Sequence, residues 1–170
     1  MSNVNLHPEG INAIKQLLHE KYSIVLTDLQ LNTESLEYGA CSFKLNNKKI
    51  FYRVSKLTPV KAGQFVTIWK RNMEGVTEPY DISDDFDFLI IAAKSGNNLG
   101  YFIFPKYVLA QKAIVTTNEK QGKRGIRVYP PWDMVASKQA EISQTWQTSY
   151  FHTVSDVNSI KTDFIRKLLY

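Results

Sequence analysis

Apolar residues recur at helical spacing near the start of the chain. Ile11, Ile14, Leu17 and Leu18 fall on one side of a helix over residues 8–21. Three further helices are predicted over residues 106–112, 137–151 and 157–168. The pattern therefore places helices at both ends of the chain, with most of the intervening sequence left for other structure.

The intervening sequence has the short apolar and alternating runs that are typical of strands. Residues 86–93 are apolar nearly throughout, as expected for a central strand that is buried on both faces. The remaining strands are predicted over residues 42–45, 49–55, 64–70, 99–104, 115–117 and 126–129. Together the elements predict an α/β (α+β) domain with a single β-sheet flanked by helices.

The length and composition narrow the class of protein. A chain of 170 residues, 44% hydrophobic and 22% charged, is expected to fold as one globular domain over residues 1–170. No run approaches the roughly 20 apolar residues that span a bilayer, and no secretory signal is visible. Cys41 is the single cysteine, which excludes an internal disulfide. We therefore expect a cytoplasmic protein without a membrane partner.

The basic charge is concentrated in one part of the sequence. Residues 101–150 contain seven Lys and Arg against three acids, which accounts for most of the net charge of +5. Within this part, residues 122–132 (GKRGIRVYPPW) set three cations and two large aromatic rings between turn-forming residues. Cations bind phosphate and rings stack on planar groups, so the pattern favours nucleic acid or a nucleotide as partner. A solvated basic face is the alternative.

Further cation–aromatic pairs surround the turn at Thr58-Pro59 and the strand that follows it. Such pairing suits phosphate contact combined with base stacking. The alternative is that the rings pack in the core while the cations face water. The ligand-binding candidates are Arg53, Lys61, Trp69, Lys70, Lys123, Arg124, Arg127, Tyr129 and Trp132.

An acidic loop supplies candidates for a different chemistry. Residues 78–87 contain five carboxylates, and Asp87 opens the predicted central strand, where it is the best-placed ligand for a cation such as Mg²⁺. Lys106 ends the neighbouring strand, and Glu78 or Glu20 would supply a second carboxylate. A metal-dependent nuclease needs an acid two positions before this lysine, where Phe104 stands. No cofactor is required, and Mg²⁺ is an optional one.

Other familiar catalytic patterns are missing from the sequence. It contains no Gly-x-Ser-x-Gly elbow and no phosphate loop that ends in Gly-Lys-Ser/Thr. The histidines lie near the termini, and Cys41 has no histidine close to it in sequence. Triad hydrolases and P-loop NTPases are therefore excluded, and the sequence leaves open whether the protein is an enzyme.

Several of these segments together resemble the MepB family of small bacterial proteins, whose gene lies beside a multidrug efflux pump. The resemblance covers roughly residues 10–152. Its motifs are residues 58–71, 78–81, 85–87, 100–106, 122–132, 139–140 and 144–147. It implies a cytosolic protein with a restriction-endonuclease-like core, in which a mixed sheet lies between helices, and it brings no catalytic assignment.

Three functional hypotheses follow. The first is a module that binds nucleic acid or a nucleotide-like anion in a basic and aromatic cleft. The second is a metal-dependent phosphodiesterase that uses Asp87, Lys106 and Glu78 or Glu20. The third is an accessory protein of drug response that binds a small molecule. The first requires that the scattered cations and rings gather on one concave surface of the fold.

Overall fold

The computed structural model of the chain describes residues 7–153 and 162–170. Its helices are α1 (Ile11–Tyr22), α2 (Lys106–Gln111), α3 (Lys138–Thr148) and α4 (Thr162–Leu169), and a 3-10 turn spans Leu36–Tyr38. Its strands are β1 (Leu26–Leu31), β2 (Cys41–Leu45), β3 (Lys48–Val54), β4 (Lys56–Leu57), β5 (Gln64–Thr67), β6 (Trp69–Arg71), β7 (Thr77–Pro79), β8 (Phe88–Ser95), β9 (Asn98–Pro105), β10 (Gly125–Val128) and β11 (Phe151–Thr153).

Six of these strands form a central mixed sheet in the order β1-β2-β3-β8-β9-β11. β3 and β8 run parallel, and the other neighbours run antiparallel. A parallel pair requires a long connection, and residues 55–87 supply it. This connection contains β4 to β7, which belong to two additional sheets. One is the three-stranded sheet β10-β5-β4, called the small sheet below, and the other pairs β6 with β7.

The outermost strand of the central sheet is irregular. β1 pairs with β2, and its register shifts between Thr27 and Gln30. Asp28, inside the shift, has a φ of 56°. At the opposite edge, β11 contributes three residues.

The strand β8 determines how the sheet is buried. Its side chains alternate between the two faces: Phe88, Ile90 and Ala92 join one hydrophobic cluster, whereas Leu89 and Ile91 join the other. All of them are at most 4% exposed. The predicted strand with two buried faces is therefore confirmed, and a separate core lies on each side of it.

The first face of the sheet is covered by the terminal helices. Ile14 and Leu18 from α1 and Phe164 and Leu168 from α4 are buried in the cluster that contains Phe88. The rings of Phe88 and Phe164 meet edge to face with their centroids 5.1 Å apart. Both helices therefore stabilise the first face of the sheet and not the opposite face.

The second face is covered by the small sheet together with α2 and α3. Val66 and Val128 from the small sheet and Leu109 from α2 are buried in its cluster. The ring of Trp146 on α3 packs against Phe104 with centroids 5.3 Å apart. The small sheet and α3 thus pack side by side on the second face of the central sheet.

The predicted class, a mixed sheet flanked by helices, is confirmed. The prediction of a single sheet is wrong, because β4, β5 and β10 form the small sheet and β6 pairs with β7, apart from the central sheet. The predicted strand over 64–70 is divided into β5 and β6, and no strand forms over 115–117, where Thr116 makes an isolated bridge with Asp81. The predicted helix over 137–151 ends at Thr148, because Phe151 begins β11. Part of the helix predicted over 157–168 lies outside the described residues. The restriction-endonuclease-like core stays a prediction.

None of the helices in the described ranges is long and apolar enough to cross a membrane.

Candidate functional site

A cleft of about 600 Å³ lies between the small sheet and α3, and we call it the basic cleft. The turn before β5, the segment from Lys112 to Tyr129 and one side of α3 provide its walls. Four cations line it: Lys61, Lys112, Lys123 and Arg127. Three aromatic rings line it as well: Phe65, Tyr129 and Trp146.

Among the residues that the structure describes, no acid pairs with the four cations of the basic cleft. No carboxylate belongs to the lining, and none lies within 4 Å of these cations in the part of the chain that the structure describes. Lys61, Lys112 and Lys123 are exposed. Like charges that converge without counter-ions create a positive potential that attracts an anion.

Hydrogen bonds to the preceding turn hold Arg127 in place. Its guanidinium donates to the carbonyl oxygens of Lys61 and Ala62, at 3.3 and 3.1 Å from Nη2, and to the Thr58 hydroxyl. These partners are neutral, so the positive charge is oriented without being neutralised. Arg127 thus joins the turn to β10, on the side of the cleft that the small sheet forms.

The aromatic side chains are also fixed. Tyr129 packs on Gly63, where a Cβ would lie 2.7 Å from the ring, and Gly63 has a φ of 80° that favours glycine. The Nζ of Lys112 lies 5.3 Å from the ring centroid of Trp146, within the range of a cation–π contact. A planar group that enters the cleft therefore meets the rings of Tyr129 and Trp146 beside the cations of Arg127 and Lys112.

The helix α3 is attached to the edge of the small sheet by a buried amide. Gln147, 2% exposed, accepts a hydrogen bond from the Tyr129 N–H at 2.8 Å and donates to the Arg127 carbonyl at 3.0 Å. The side chain thus occupies the place of a neighbouring strand on β10. At the start of α3, the Ser137 hydroxyl accepts from the Ala140 N–H at 3.1 Å and caps the helix.

Four of the nine predicted ligand-binding residues line the basic cleft. They are Lys61, Lys123, Arg127 and Tyr129. Lys112 and Phe65 were not predicted. Phe65 lies opposite Arg127 in the β5–β10 pairing, so knowledge of that pairing would have identified it. Lys112 follows α2, of which Val108 and Leu109 are buried, and nothing in the local sequence distinguishes this lysine from the others.

Trp69, Lys70 and Arg124 lie outside the basic cleft, beside β7. Lys70 pairs with Asp84 at 2.6 Å and with Glu78 at 3.6 Å. Partial burial lowers the pKa of Lys70, but the two carboxylates raise it more, so the net shift is upward. Arg124 donates to the Thr77 carbonyl at 2.9 Å. The guanidinium of Arg71 covers the Trp69 ring at 5.3 Å.

The prediction that Arg53 binds a ligand is wrong, because its side chain is 1% exposed. Its guanidinium donates to the Tyr52 carbonyl at 2.8 Å and to the Tyr80 hydroxyl at 2.7 Å. Residues 51 and 53 share the face of β3 that the second core covers, and Tyr80 and Phe86 belong to this core. The alternation of β3 therefore directs Arg53 into the protein rather than to solvent.

Trp132 does not line the basic cleft. Its ring packs edge to face on Phe151, with centroids 5.5 Å apart, and its indole nitrogen is buried without a partner among the described residues. The double proline that precedes Trp132 turns the chain toward the central sheet, so this ring supports the core next to β11.

A second cleft, of about 390 Å³, lies at the end of the central sheet where β8 begins. Asp87 and Lys106 line it together, as expected for an acid that opens one strand and a lysine that ends the next. The Lys106 N–H donates to the Asp87 carbonyl at 3.0 Å. The Asp87 carboxylate accepts from the Lys49 N–H at 2.9 Å, and the Lys106 ammonium donates to the Ile82 carbonyl at 3.0 Å.

The other carboxylates proposed for catalysis do not join Asp87. Glu78 pairs with Lys70, and Glu20 is exposed on α1 and accepts from Gln16 at 2.8 Å. Asp81 is engaged by Ser83, whose N–H and hydroxyl lower the pKa of this carboxyl. Residues 7–153 and 162–170 contain no group of three or more metal-ligating side chains. The Mg²⁺ site at Asp87 stays a prediction.

Comparison with known proteins places these features in a family context. The sequence model of a family described as MepB-like matches residues 32–153. A crystal structure of MepB is 35% identical in sequence and superimposes with a TM-score of 0.74, over 82% of this chain and 95% of that chain. No curated protein matches the sequence at a significant level.

A bacterial homing endonuclease, I-Ssp6803I, is also similar, at 16% identity and a TM-score of 0.45. The similarity covers 81% of this chain and 85% of that chain. It is too remote to support an argument about fold or function.

Proposed function

The chain belongs to the MepB-like family, and from this premise we propose that its basic cleft binds a nucleotide-like anion, either free or as part of a nucleic acid. The four cations would contact phosphate, and Tyr129 and Trp146 would contact the base. One observation carries the proposal. Lys61, Lys112, Lys123 and Arg127 converge in a cleft whose lining, over the described ranges 7–153 and 162–170, contains no carboxylate.

The size of the basic cleft suits this ligand. At about 600 Å³, it lies within the range of roughly 300–1,000 Å³ in which small-molecule and cofactor sites fall. Phosphate oxygens accept hydrogen bonds from Lys and Arg, and a base has a planar face that stacks on an aromatic ring. The lining offers both kinds of contact within one cavity.

The positive charge of the basic cleft favours an anion over the ligands of the two alternative functions, a planar cation and a divalent metal. A planar cation, the ligand expected of a drug-response accessory protein, would meet four positive charges and no compensating carboxylate. In the described part of the chain, the lining also lacks an acid that would hold a divalent metal or activate water. Binding of an anion without cleavage is therefore the function that this cavity supports best.

The proposal is tested by titrating labelled single-stranded oligothymidylate with the protein at several salt concentrations and measuring fluorescence anisotropy. Affinity should fall steeply as salt rises, because each phosphate contact releases counter-ions. Lys61→Gln with Lys123→Gln should weaken binding and reduce the log–log salt slope by about 0.7 per lysine, the value for single strands. Arg127 is left intact because it also holds the turn.

The matched control carries the same charge change at Lys44→Gln with Lys94→Gln. These lysines pair with Asp28 and Glu9 and do not line the basic cleft. The control should keep the wild-type slope. Equal slopes for the two double variants, or no binding at micromolar protein, would show that the basic cleft does not bind this ligand.

A further inference from the structure

The second cleft forms where the ends of several elements meet at one end of the central sheet. Phe88, at the start of β8, lies opposite Ile50 of β3 and opposite Pro105 at the end of β9. Lys48 opens β3 at the same end of the sheet, and Lys167, in the last turn of α4, also lines the cleft. Residues that are far apart in sequence are therefore brought together here by folding.

The floor of the second cleft is apolar. Phe86 and Phe88 line it, and each is 4% exposed. The Phe86 ring stacks on Phe51 with centroids 4.7 Å apart and an angle of 20° between the ring planes. Tyr107, which is 52% exposed, adds an accessible ring to the lining. A flat apolar group in the cleft would therefore contact a well-packed floor and an aromatic side chain beside it.

The described lining of the second cleft carries more positive than negative charge. It contains three lysines, Lys48, Lys106 and Lys167, and one acid, Asp87. The Asp87 carboxylate accepts a hydrogen bond from the Lys49 N–H at 2.9 Å, so part of its capacity is used by the backbone. Because positive charge is in excess, the cleft attracts an anion and repels a cation.

Two of these ammonium groups lie over aromatic rings. The Lys106 Nζ is 4.9 Å from the Phe86 centroid, and the Lys167 Nζ is 4.9 Å from the Tyr107 centroid. Both distances fall within the range of cation–π contacts, which place a charge next to an apolar surface without neutralising it. A ligand that joins a ring to an anionic group would therefore make both kinds of contact at once.

The lysines that would hold the anionic group are Lys48 and Lys167. The third ammonium group, that of Lys106, already donates to the carbonyl oxygens of Ile82 and Asp84. A carboxylate has two oxygens that accept hydrogen bonds, so one carboxylate can pair with two ammonium groups. The described lining contains no arginine, whose planar fork matches a phosphate. These contacts favour a carboxylate over a phosphate.

We propose that the second cleft binds a small aromatic carboxylate. The ring of this ligand would lie on Phe86 and Phe88 beside Tyr107, and its carboxylate would pair with Lys48 and Lys167. The volume of about 390 Å³ lies at the lower end of the range of roughly 300–1,000 Å³ for small-molecule sites, which suits a ligand of one or two fused rings. The site is separate from the basic cleft, so the inference does not depend on the function proposed there.

Ligand-observed NMR titrations of the full chain with naphthoate test this site, because they measure weak binding of small molecules. A ligand of this size is expected to bind with a Kd on the order of 0.1–1 mM. Two matched compounds separate the contributions of ring and charge. Cyclohexanecarboxylate has the charge without the aromatic ring, and naphthylmethylammonium has the ring with the opposite charge. Each should bind at least about tenfold more weakly than naphthoate.

Two variants test the residues of the second cleft. Lys48→Gln with Lys167→Gln removes the ammonium groups that pair with the carboxylate and should weaken naphthoate binding about tenfold. Tyr107→Leu removes the accessible ring and should weaken binding about threefold or more. The control Lys44→Gln with Lys94→Gln makes the same charge change outside the cleft and should keep the wild-type affinity. Circular dichroism checks that each variant is folded.

A variant of the basic cleft locates the binding. Lys61→Gln with Lys123→Gln should leave the affinity for naphthoate unchanged, because these lysines do not line the second cleft. If this variant abolishes binding and Lys48→Gln with Lys167→Gln does not, naphthoate occupies the basic cleft and the inference is overturned.

Three further results would also overturn the inference. They are no binding of naphthoate up to about 10 mM, equal binding of cyclohexanecarboxylate, and tighter binding of naphthyl phosphate than of naphthoate. Oligothymidylate binding is measured in a separate titration. The failure of this inference is therefore distinguishable from the failure of the function proposed for the basic cleft.

Discussion

Asp133 is a carboxylate located behind the turn that holds Arg127. Its Oδ2 is buried without a partner among the described residues, and its own carbonyl accepts from Gln144 at 2.9 Å. Burial raises the pKa of Asp133, and the nearby Gly63 N–H lowers it by less, so the net shift is upward. The ionised side chain is therefore less favourable in the folded protein than in the unfolded chain.

Replacing this side chain should change the pH dependence of stability. A carboxyl whose pKa is raised by folding binds its proton more tightly in the folded state, so wild-type stability decreases as pH rises from about 4 through the folded-state pKa. Asp133→Asn removes this titration. The variant should therefore gain stability relative to the wild type across this interval, and the gain should level off above it.

Urea unfolding of both proteins at a series of pH values measures this difference. A difference between Asp133→Asn and wild type that is independent of pH would contradict the argument.

At the level of single residues, the sequence predicts which residues lie close together better than it predicts whether their side chains face solvent or the core. Lys123, Arg127 and Tyr129 lie within one short segment, and they remain together in the fold. Arg53 belongs to a strand that was also predicted correctly, yet it is buried. The alternation of β3 reveals which residues share a face, whereas the identity of the covered face depends on Tyr80 and Phe86, which lie far along the chain.

At the level of elements, the attachment of α3 to β10 determines the shape of the basic cleft. Gln147→Leu would leave the Tyr129 N–H and the Arg127 carbonyl without their protein partners in a partly buried position. An unsatisfied buried group costs about 1–3 kcal/mol, so the free energy of unfolding should fall by an amount on the order of 2 kcal/mol or more. Chemical denaturation measures this loss.

Gln139→Leu is the matched control for this prediction. It makes the same substitution on the same helix, at an exposed residue, and should change stability by about 0.5 kcal/mol or less. Equal losses for the two variants would show that the buried amide does not stabilise the contact between α3 and β10.

Elements were predictable where burial leaves a strong pattern. β8 and β9 have apolar residues on both faces and were recognised, whereas β1 was missed. Only one side of β1 is partly covered, and Thr27, Asp28 and Gln30 are exposed, so its sequence resembles a loop. The small sheet was not predicted because its strands lie far apart in sequence, and only tertiary contacts bring β5 and β10 together.

At the level of the whole molecule, the two faces of the central sheet have different roles. α1 and α4 cover one face, and the basic cleft forms over the other. The family match spans residues 32–153 and therefore contains the residues of the basic cleft but neither of these two helices. We therefore expect substitutions in the hydrophobic cluster beneath α1 and α4 to change the stability of the protein without changing its affinity for a nucleotide.

Phe164→Ala tests this division. The side chain is 6% exposed and packs on Phe88, so its truncation should destabilise the protein by about 3–5 kcal/mol. The protein that remains folded should bind a labelled mononucleotide with the wild-type affinity, as measured by fluorescence anisotropy. Leu169→Ala, in the same helix at a largely exposed residue, should cost much less. A parallel loss of mononucleotide affinity in Phe164→Ala would show that the two faces are coupled.

The central sheet also ends in two strands that are poor templates for another strand. β1 is interrupted by its shift in register around Asp28, and β11 contributes three residues. Bulged and very short edges resist the addition of a strand from a neighbouring molecule. Within the described residues, a strand from a neighbouring molecule would therefore meet an interrupted ladder at β1 and a short one at β11, so both edges of the central sheet disfavour edge-to-edge aggregation.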